Sequence, residues 1–425
     1  MAEYTPLYTD EQQYPPPSPP PYATAAVKII TPRVASLDVF RGLCVFLMML
    51  VDYGGSIFPT IAHVPWNGLH LADFVMPFFL FIAGVSLAIA YKKVTDRMDA
   101  TKKAMSKAVK LFFLGVLIQG GYLHGAKSLT YGVDILQIRW MGILQRISIA
   151  YIVAALCEIW IPCRKWTRFS VVRSYIWQWC LVVILCAVYS GLLYGLFVPD
   201  WHIPKLSTSV SASNSTVVYK VKCGLRGDLT PGCNSAGMID RYVLGINHLY
   251  AKPAYGNLKE CNKTQIGIPE SSPSWCHAPF DPEGILGSLT AAVTCIIGLQ
   301  FGHILVQTQD HKERLHWWSV LSIYCSMLGV LLAILGVPLN KSLYTVSYTL
   351  VTSGCAGLTF NAFYLLVDVW NYRWLMSILE WIGVHSLGIF ILLTSNLAIV
   401  ILQGFYLGSP KNNIIHWIIS AVIRQ

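Results

Sequence analysis

The sequence predicts an all-α polytopic membrane protein with about ten transmembrane helices. Of its 425 residues, 55% are hydrophobic and only 12% are charged, whereas soluble domains carry about 25% charged residues. Its apolar runs are also long enough to cross roughly 30 Å of hydrocarbon as helices. The predicted spans are residues 37–57, 71–91, 108–122, 141–161, 175–198, 284–306, 316–336, 343–367, 376–403 and 412–424. The ninth is long enough to be bent or split.

Lysine and arginine are distributed unevenly among the loops. They crowd the loops that follow the second and fourth spans, while residues 58–70 contain neither. Cytoplasmic loops carry such an excess, so these loops are predicted to be cytoplasmic, and ten spans then place both termini there as well. The net charge of +10 is therefore a signal of topology. We expect the lipid bilayer as a partner and no nucleic acid.

The first 33 residues differ from the rest in composition. They contain no apolar run, so we expect no cleavable signal peptide. Their richness in Pro and Tyr predicts a disordered cytoplasmic tail. Residues 34–425 are predicted to form one transmembrane domain, which includes residues 200–283 as a long segment on the luminal or extracellular side.

The long outer segment carries four cysteines, an even number that suits two disulfides in an oxidising compartment. Three pairings of the four exist, and the sequence leaves them open. We favour the pairing Cys223–Cys233 with Cys261–Cys276.

Asparagine sequons support the same placement of this segment. Those at Asn214 and Asn262 are glycan acceptors only on the luminal or extracellular side. A third sequon, at Asn340, lies so close to the membrane that we do not expect its modification.

Polar and ionisable residues recur near the outer ends of several predicted spans. Such groups are costly at membrane depth and tend to face a cavity or a partner, so we expect a polar pocket open to the outer side. Its candidate residues are Asp52, His63, Trp66, Asn67, Asp73, Gln145, Arg146, Asp281, Glu283, Asn340 and Lys341.

Several of these residues also have a structural interpretation. Asp73 can pair with an arginine such as Arg146 and join two helices. Asp281 and Glu283 are interpreted first as a turn and a helix start, because acids favour the positive end of the helix dipole. A loop histidine such as His63 is by default exposed or structural, but an imidazole can also accept a proton near neutral pH or act as a nucleophile.

On the cytoplasmic side, Asp38 and Arg41 lie three residues apart on one face of the first predicted helix. They form either an internal ion pair or part of a binding site for a phosphate-bearing cytosolic ligand, and the sequence leaves both open. The sequence contains no Walker loop, no Rossmann glycine pattern, no G-x-S-x-G and no zinc-ligand spacing, so no metal site is predicted.

Six ordered segments carry a family resemblance. They are "SLDVFRGLCVFLMMLVDYGG", "HVPWNGLHLADFVMPFFLFIAGVSLAIA", "GILQRISIAY", "IDRYVLGINHLY", "FDPEGILGSL" and "NKSLYTVSYTL". Together they resemble the heparan-α-glucosaminide N-acetyltransferase family, from about residue 33 to the last spans. The family's animal lysosomal member transfers acetyl from cytosolic acetyl-CoA to the terminal glucosamine of luminal heparan sulfate.

The resemblance implies a transmembrane N-acetyltransferase with acetyl-CoA as donor, a luminal sugar or glycan as acceptor and no metal. It implies that His63 is the active-site histidine and that Asp52 occupies the place of a pocket asparagine, which leaves the role of Asp52 open. Arg41 and the basic loops are compatible with a nucleotide end of acetyl-CoA towards the cytosol.

The same resemblance bears on location and assembly. It implies a lysosomal, vacuolar or other endomembrane protein, with the plasma membrane as the alternative, and a homodimer. Where the lysosomal member has an N-terminal luminal domain, this sequence has the Pro-rich tail. We therefore expect a short form, whose acceptor can differ.

Two mechanisms and one rival function remain open at this point. We favour His63 as a general base in a ternary complex; the alternative is a nucleophile that forms acetyl-imidazole. Asn67 and nearby backbone N–H groups are candidates for stabilising the oxyanion. The rival function is a transporter or solute-binding protein that uses the same outer pocket.

Overall fold

A computed structural model describes residues 34–55, 58, 60–92, 94, 96–119, 123–124, 130–131, 138–161, 175–205, 217–250, 254–261, 268–269 and 271–394. The predicted tail, the predicted span 412–424 and the sequons at Asn214 and Asn262 lie outside these residues. The helices are α1 (Ala35–Gly54), α2 (Val75–Ala90), α3 (Arg97–Gln119), α4 (Ile143–Trp160), α5 (Ile176–Gly195), α6 (Ser235–Val243), α7 (Ile285–Gln307), α8 (His311–Ile334), α9 (Val346–Tyr364), α10 (Ser377–Val384) and α11 (Ser386–Thr394).

Six of the described helices are long and apolar enough to cross a membrane, so the protein is a helical membrane protein. They are α4, α5, α7 and α8, together with α2 extended backwards to Leu71 and α9 extended to Val369. The pair α10 and α11, bent by 73°, counts as a seventh if it forms one span. The prediction of ten spans is therefore not confirmed, and the placement of the termini stays a prediction.

Helix α3 departs from the predicted span 108–122. It begins at Arg97 and its first half is charged. The reason is a local cap, since the Asp96 carboxylate accepts the backbone N–H of Met98 at 2.9 Å and of Asp99 at 3.4 Å. The helix therefore starts well before its apolar run.

Short strands add to the predicted all-α fold, one pair between α3 and α4 and the other in the outer segment. Strands β1 (Leu123–His124) and β2 (Thr130–Tyr131) form one antiparallel pair, and β3 (Trp201–Lys205) and β4 (Val217–Val221) form another. The two favoured disulfides, Cys223–Cys233 and Cys261–Cys276, are both present. They hold this segment together around α6, whose first turn is capped by Asn234 through the N–H of Gly237 at 2.7 Å.

Helix α7 lies at the centre of the bundle, with almost every residue between Leu286 and Leu305 buried. It approaches α2 through glycines. A Cβ at Gly84 would lie 1.9 Å from the carbonyl oxygen of Cys295, and a Cβ at Gly298 would lie 2.0 Å from that of Phe81. Only glycine permits this approach of two backbones, as is common between membrane helices.

Helices α1 and α10 are joined in the same way. A Cβ at Gly42 or at Gly383 would lie 1.8 Å or 1.7 Å from a carbonyl oxygen of the facing helix. This contact fixes the position of α1, which carries Arg41 near its start and Asp52 near its end. The two side chains are separated by eleven residues, or about 16 Å along a helix axis.

We expect Gly298→Ala to lower the thermal unfolding midpoint of the purified protein in detergent. The new methyl group must push α2 away from α7, and overpacking of this kind costs roughly 1–3 kcal/mol. The matched control is Gly191→Ala in α5, where an added Cβ meets no atom within 4 Å. Equal midpoints for the two variants would contradict the close packing of α2 on α7.

Candidate active site

The loop that carries His63 is organised around one buried carboxylate. Asp73 is fully buried and precedes α2. Its Oδ2 accepts the backbone N–H of His70 at 3.0 Å and of Val64 at 3.4 Å. The Asp73 carbonyl oxygen accepts the hydroxyl of Tyr348 at 2.5 Å. Hydrogen bonds to both the side chain and the backbone carbonyl of Asp73 thus hold the loop, and His63 lies at its edge.

A second loop, before α9, is bonded to the first. Gly68 donates its N–H to the carbonyl of Leu339 at 2.8 Å. The amide nitrogen of Asn340 donates to Asn67 Oδ1 at 3.1 Å, and Asn340 Oδ1 accepts the N–H of Leu343 at 2.8 Å. These bonds bring the following residue, Lys341, beside His63.

His63, Asp73 and Lys341 form a three-membered cluster. His63 Nδ1 lies 3.1 Å from Asp73 Oδ1 and 2.8 Å from Lys341 Nζ, and Lys341 Nζ lies 3.5 Å from Asp73 Oδ1. The side chains of His63 and Lys341 are 44% and 22% exposed, while that of Asp73 is not exposed. Nδ1 can donate to Asp73 or accept from Lys341, so the tautomer decides which nitrogen is free.

His63 and Lys341 open onto a cavity of about 500 Å³, named here the histidine cavity. It is bounded by the end of α1, the His63 loop, the start of α4, the outer segment and the loop before α9. Its lining residues are Val51, Asp52, Gly55, Ala62, His63, Val64, Arg139, Ile143, Tyr250, Ala254, Asn257, Pro282, Glu283, Lys341 and Ser342.

One wall of the histidine cavity is a buried ion-pair network. Arg139 binds Asp281 through two bonds of 2.8 and 2.6 Å and Glu283 through one of 2.5 Å. Burial works to raise the pKa of Glu283, but the positive charges of Arg139, Arg146 and Lys341 outweigh it and hold that pKa below its usual value. Glu283 is therefore an ionised, fully engaged group.

A second cavity of about 350 Å³, named here the arginine cavity, lies among α1, α2, α3, α4 and α11. Its lining is apolar except for a few groups, among them Arg41, Ser86 and Lys107. Arg41 binds Asp38 at 3.0 Å and donates to Ser86 Oγ at 2.5 Å. Ile143, at the start of α4, lines both cavities.

Four of the predicted pocket residues share the histidine cavity: Asp52, His63, Glu283 and Lys341. The others support it from behind or lie elsewhere. Gln145 is fully buried, and its amide has no hydrogen-bond partner among the described residues. Asn340 is buried and bonded to Asn67, and Asp281 binds Arg139.

Three interpretations from sequence need correction. The pair Asp73–Arg146 does not form, because Arg146 donates to the carbonyl of Pro282 at 2.8 Å and lies over the ring of Tyr344. Asn67 does not line the histidine cavity, because its side chain is turned to Asn340.

Trp66 is likewise a packing residue. Its indole N–H donates to the carbonyl of Leu229 at 3.0 Å, and its ring contacts Tyr255 and Phe280. Trp66 thus fastens the His63 loop to the outer segment.

Sequence reasoning missed Arg139, Tyr250 and Asn257 in the histidine cavity and Lys107 in the arginine cavity. Arg139 had a signal of its own, since it precedes a span on the side that the positive-inside rule leaves poor in arginine. Lys107 was hidden among the other basic residues of its loop. Tyr250 ends the family segment "IDRYVLGINHLY", which was its one signal, whereas Asn257 lies outside all six segments.

Among the residues that the structure describes, no three His, Cys, Asp or Glu side chains are grouped as a metal ion requires. The absence of a metal cofactor stays a prediction, since part of the chain lies outside the description.

Comparison with known proteins addresses the family directly. Residues 33–188 match the family model described as heparan-alpha-glucosaminide N-acetyltransferase, catalytic. The curated mouse (Mus musculus) protein of that name is 30% identical over 385 residues, which cover 83% of this chain and 53% of the relative. The human (Homo sapiens) protein is 29% identical over 399 residues, 85% of this chain and 54% of the relative. The chain is therefore similar to the heparan-α-glucosaminide N-acetyltransferase family over most of its own length.

The family model covers residues of both cavities but not every residue that lines them. The catalytic model of the heparan-α-glucosaminide N-acetyltransferase family covers Arg41, Asp52, His63 and Lys107, whereas Lys341 lies beyond its end. The chain spans about half the length of the curated relatives that it matches. The activity of those relatives is therefore brought to this chain only as a proposal.

We expect Lys341 to react with acetic anhydride at lower pH than an exposed lysine such as Lys222. Burial lowers the pKa of Lys341 below its ordinary value, while the negative charges of Asp73 and Glu283 oppose that shift. More of Lys341 is then neutral, and only the neutral amine is acylated. The measurement is competitive labelling across a pH series, followed by mass spectrometry.

Glu283→Gln tests whether the negative charge of Glu283 raises the pKa of Lys341. It removes a negative charge that favours the ammonium form, so acylation of Lys341 should move to still lower pH. Labelling of Lys341 at the same pH as Lys222, or at higher pH, would contradict the assigned burial.

Proposed function

We propose that the protein is a transmembrane acetyltransferase that moves acetyl from cytosolic acetyl-CoA to a sugar or glycan acceptor on the other side of the membrane. The observation that carries this proposal is the pair of cavities that share Ile143 in their linings, with Arg41 and Lys107 in one and His63 in the other. Similarity to the heparan-α-glucosaminide N-acetyltransferase family supports the same chemistry. Neither substrate then needs to cross the bilayer.

The arginine cavity suits the donor. Acetyl-CoA carries phosphates at one end and a thioester at the end of a long, largely uncharged arm. Arg41 and Lys107 supply positive charge for phosphate oxygens, which Arg binds in a fixed, forked geometry and Lys as a point charge. The apolar remainder of the lining accommodates the arm.

The histidine cavity suits the transfer. With its Nδ1 proton donated to Asp73, His63 presents the lone pair of Nε2 as a general base. The base accepts a proton from the acceptor as the acceptor attacks the thioester carbonyl. Lys341, beside the imidazole, replaces Asn67 as the candidate donor for the tetrahedral oxyanion.

The alternative route through an acetyl-imidazole uses the same residue as a nucleophile. Incubating the protein with radiolabelled acetyl-CoA and no acceptor separates the two. A general base leaves the protein unlabelled, while a nucleophile yields acid-labile label on His63 and exchange of free CoA into acetyl-CoA.

The setting of this reaction completes the proposal. The partners are acetyl-CoA, an acceptor that carries an amine or a hydroxyl, and the lipid bilayer. A lysosomal, vacuolar or other endomembrane location gives the outer segment the oxidising side that its two disulfides require. A homodimer is part of the proposal by family resemblance.

We expect His63→Ala to reduce acetyl transfer to glucosamine by at least about a hundredfold, because general-base catalysis contributes 10²–10⁴ in rate. Binding of acetyl-CoA should be retained. The assay uses purified protein in detergent with radiolabelled acetyl-CoA. The control is His202→Ala, which removes an exposed histidine of β3 that does not line the cavity.

The outcomes separate the enzyme from the rival transporter. Transfer that survives in His63→Ala would remove His63 from the mechanism. Uptake of a solute into proteoliposomes, without acetyl-CoA binding or transfer by the wild type, would replace the acetyltransferase proposal by transport.

We expect Lys107→Ala to raise the KM for acetyl-CoA about tenfold and to leave kcat within twofold. The lost charge contacts phosphate far from the reacting carbon, and a tenfold change corresponds to about 1.4 kcal/mol. Steady-state kinetics with varied acetyl-CoA tests this. Lys102→Ala, an exposed lysine of α3 outside the arginine cavity, is the control, and an equal rise in KM for both would contradict the assignment.

A further inference from the structure

A buried carboxyl group outside the histidine cavity joins the outer segment to the bundle. Asp240, in α6, is 1% exposed. Its Oδ1 accepts the backbone N–H of Ile285, the first residue of α7, at 2.9 Å. A Cβ at Gly284 would lie 1.9 Å from Asp240 Oδ2, so the carboxyl group packs directly on the start of α7. This contact is named here the α6–α7 junction.

The turn that precedes the α6–α7 junction is part of the wall of the histidine cavity, through Pro282 and Glu283. Three side chains hold it. Arg139 binds the carboxylate of Glu283. Arg146 donates to the carbonyl of Pro282 at 2.8 Å, and Asp240 bonds to the helix start that follows. Arginine keeps its charge at every physiological pH, so of these three side chains Asp240 is the one that can change its charge.

The ionised form of Asp240 lacks donors in this position. Its Oδ2 is buried and has no hydrogen-bond partner among the described residues. Two arginines act on it by charge, but Arg146 is bonded to the carbonyl of Pro282, and the guanidinium carbon of Arg241 lies 3.8 Å from the centre of the Trp201 ring. A buried carboxylate needs donors for both of its oxygens. The neutral carboxyl form therefore suits this site better.

The surrounding charges lead to the same conclusion. Burial raises the pKa of Asp240 from its ordinary value of 3.8 to about 7, and the negative charge of Asp281 adds to that shift. The N–H of Ile285 and the positive charges of Arg146 and Arg241 oppose the shift without cancelling it. Asp240 thus exchanges its proton within the physiological range of pH.

The other titratable groups around α6 are bonded elsewhere. Helix α5 contains no Asp, Glu, Lys or Arg. The hydroxyl groups of Tyr189 and Tyr255 donate to backbone carbonyls, and Nδ1 of His248 lies 2.7 Å from another. Glu283 and Arg139 pair with each other. The charge state of the α6–α7 junction is therefore set by Asp240 itself.

We infer that Asp240 is a proton-dependent positioning residue, whose neutral form holds the outer segment on the start of α7 and thereby holds the wall of the histidine cavity. Protonation at Oδ2 leaves Oδ1 free to accept the N–H of Ile285. An ionised Oδ2 requires donors that water must supply, and water reaches it only when α6 withdraws from Gly284. The junction is independent of the proposed function, whereas its effect on acetyl transfer rests on that function.

The stability of the junction should follow this proton. The pKa of Asp240 is higher in the folded chain than in the unfolded chain, so the folded protein binds more protons between about pH 4 and about pH 7. The contribution of Asp240 to stability is complete below this window and falls as the pH rises through it. Above the window it is lost.

The test is hydrogen–deuterium exchange of the purified protein in detergent at about pH 5.5 and about pH 8, corrected for the intrinsic effect of pH on exchange. In the wild type, peptides from α6 and from the start of α7 should exchange at least about threefold faster at the higher pH. Asp240→Asn, of the same size and always neutral, should exchange slowly at both. Asp240→Ala, which cannot bond to Ile285, should exchange rapidly at both.

The control is Glu260→Gln, which removes an exposed carboxylate of the outer segment that does not line the cavity. It should keep the pH dependence of the wild type. Exchange in Asp240→Asn that rises with pH as in the wild type, or wild-type exchange that does not change with pH, would overturn the inference.

Turnover tests the consequence for the site. Between about pH 6 and about pH 8, kcat/KM for glucosamine in the wild type should fall about tenfold relative to Asp240→Asn, because the protonated fraction of a group with a pKa of about 7 falls by that factor. Titration of His63 cancels in this comparison, since both proteins retain it. Identical pH profiles would refute the positioning role. Exchange that depends on Asp240, with no acetyl transfer by the wild type, would refute the acetyltransferase and keep the junction.

Discussion

The carboxylate of Asp73 is the group on which the arrangement of the site depends. It is fully buried, and its two oxygens accept bonds from two backbone N–H groups of one loop and from the imidazole of His63. A buried charge is tolerated only when its bonding capacity is filled. The loop folds around the carboxylate because the buried charge needs these hydrogen-bond donors. The position of His63 follows from this arrangement.

The buried carboxylates of the site are each compensated by a cationic side chain. Lys341 offsets Asp73, and Arg139 offsets Asp281 and Glu283. These ion pairs join parts of the chain that are far apart in sequence, so the cavity needs both the loop before α9 and the end of the outer segment. The groups that line it are held in place by ion pairs whose members would be too costly to bury singly.

The sequence was sufficient for the membrane class, the six apolar spans and the two disulfides. Long apolar runs and closely spaced cysteines can be recognised in the sequence without knowledge of the tertiary contacts. The start of α3 could not be predicted from hydropathy, because its cap at Asp96 lies in a charged stretch. The pairing of Asp73 with His63 and Lys341, not with Arg146, depended on loop contacts between residues far apart in the sequence.

The glycines show the same limit of prediction from sequence. Nothing in the sequence distinguishes Gly84 and Gly298 from Gly191, yet the first two lie where two helix backbones are in contact and the third faces open space. Residue type shows that a close approach is allowed. Only the packing of α2 on α7 shows where it is used.

The shared position of Ile143 in the linings of the two cavities has a consequence for the membrane itself. If the proposed function holds, an open connection between the two cavities would be a route for water and ions across the bilayer. In an acidified organelle such a route would dissipate the proton gradient. Under the proposed function, the protein must therefore remain impermeable to water and ions while it brings together substrates from the two sides. The apolar lining around Ile143 is the part of the molecule suited to maintaining that seal between turnovers.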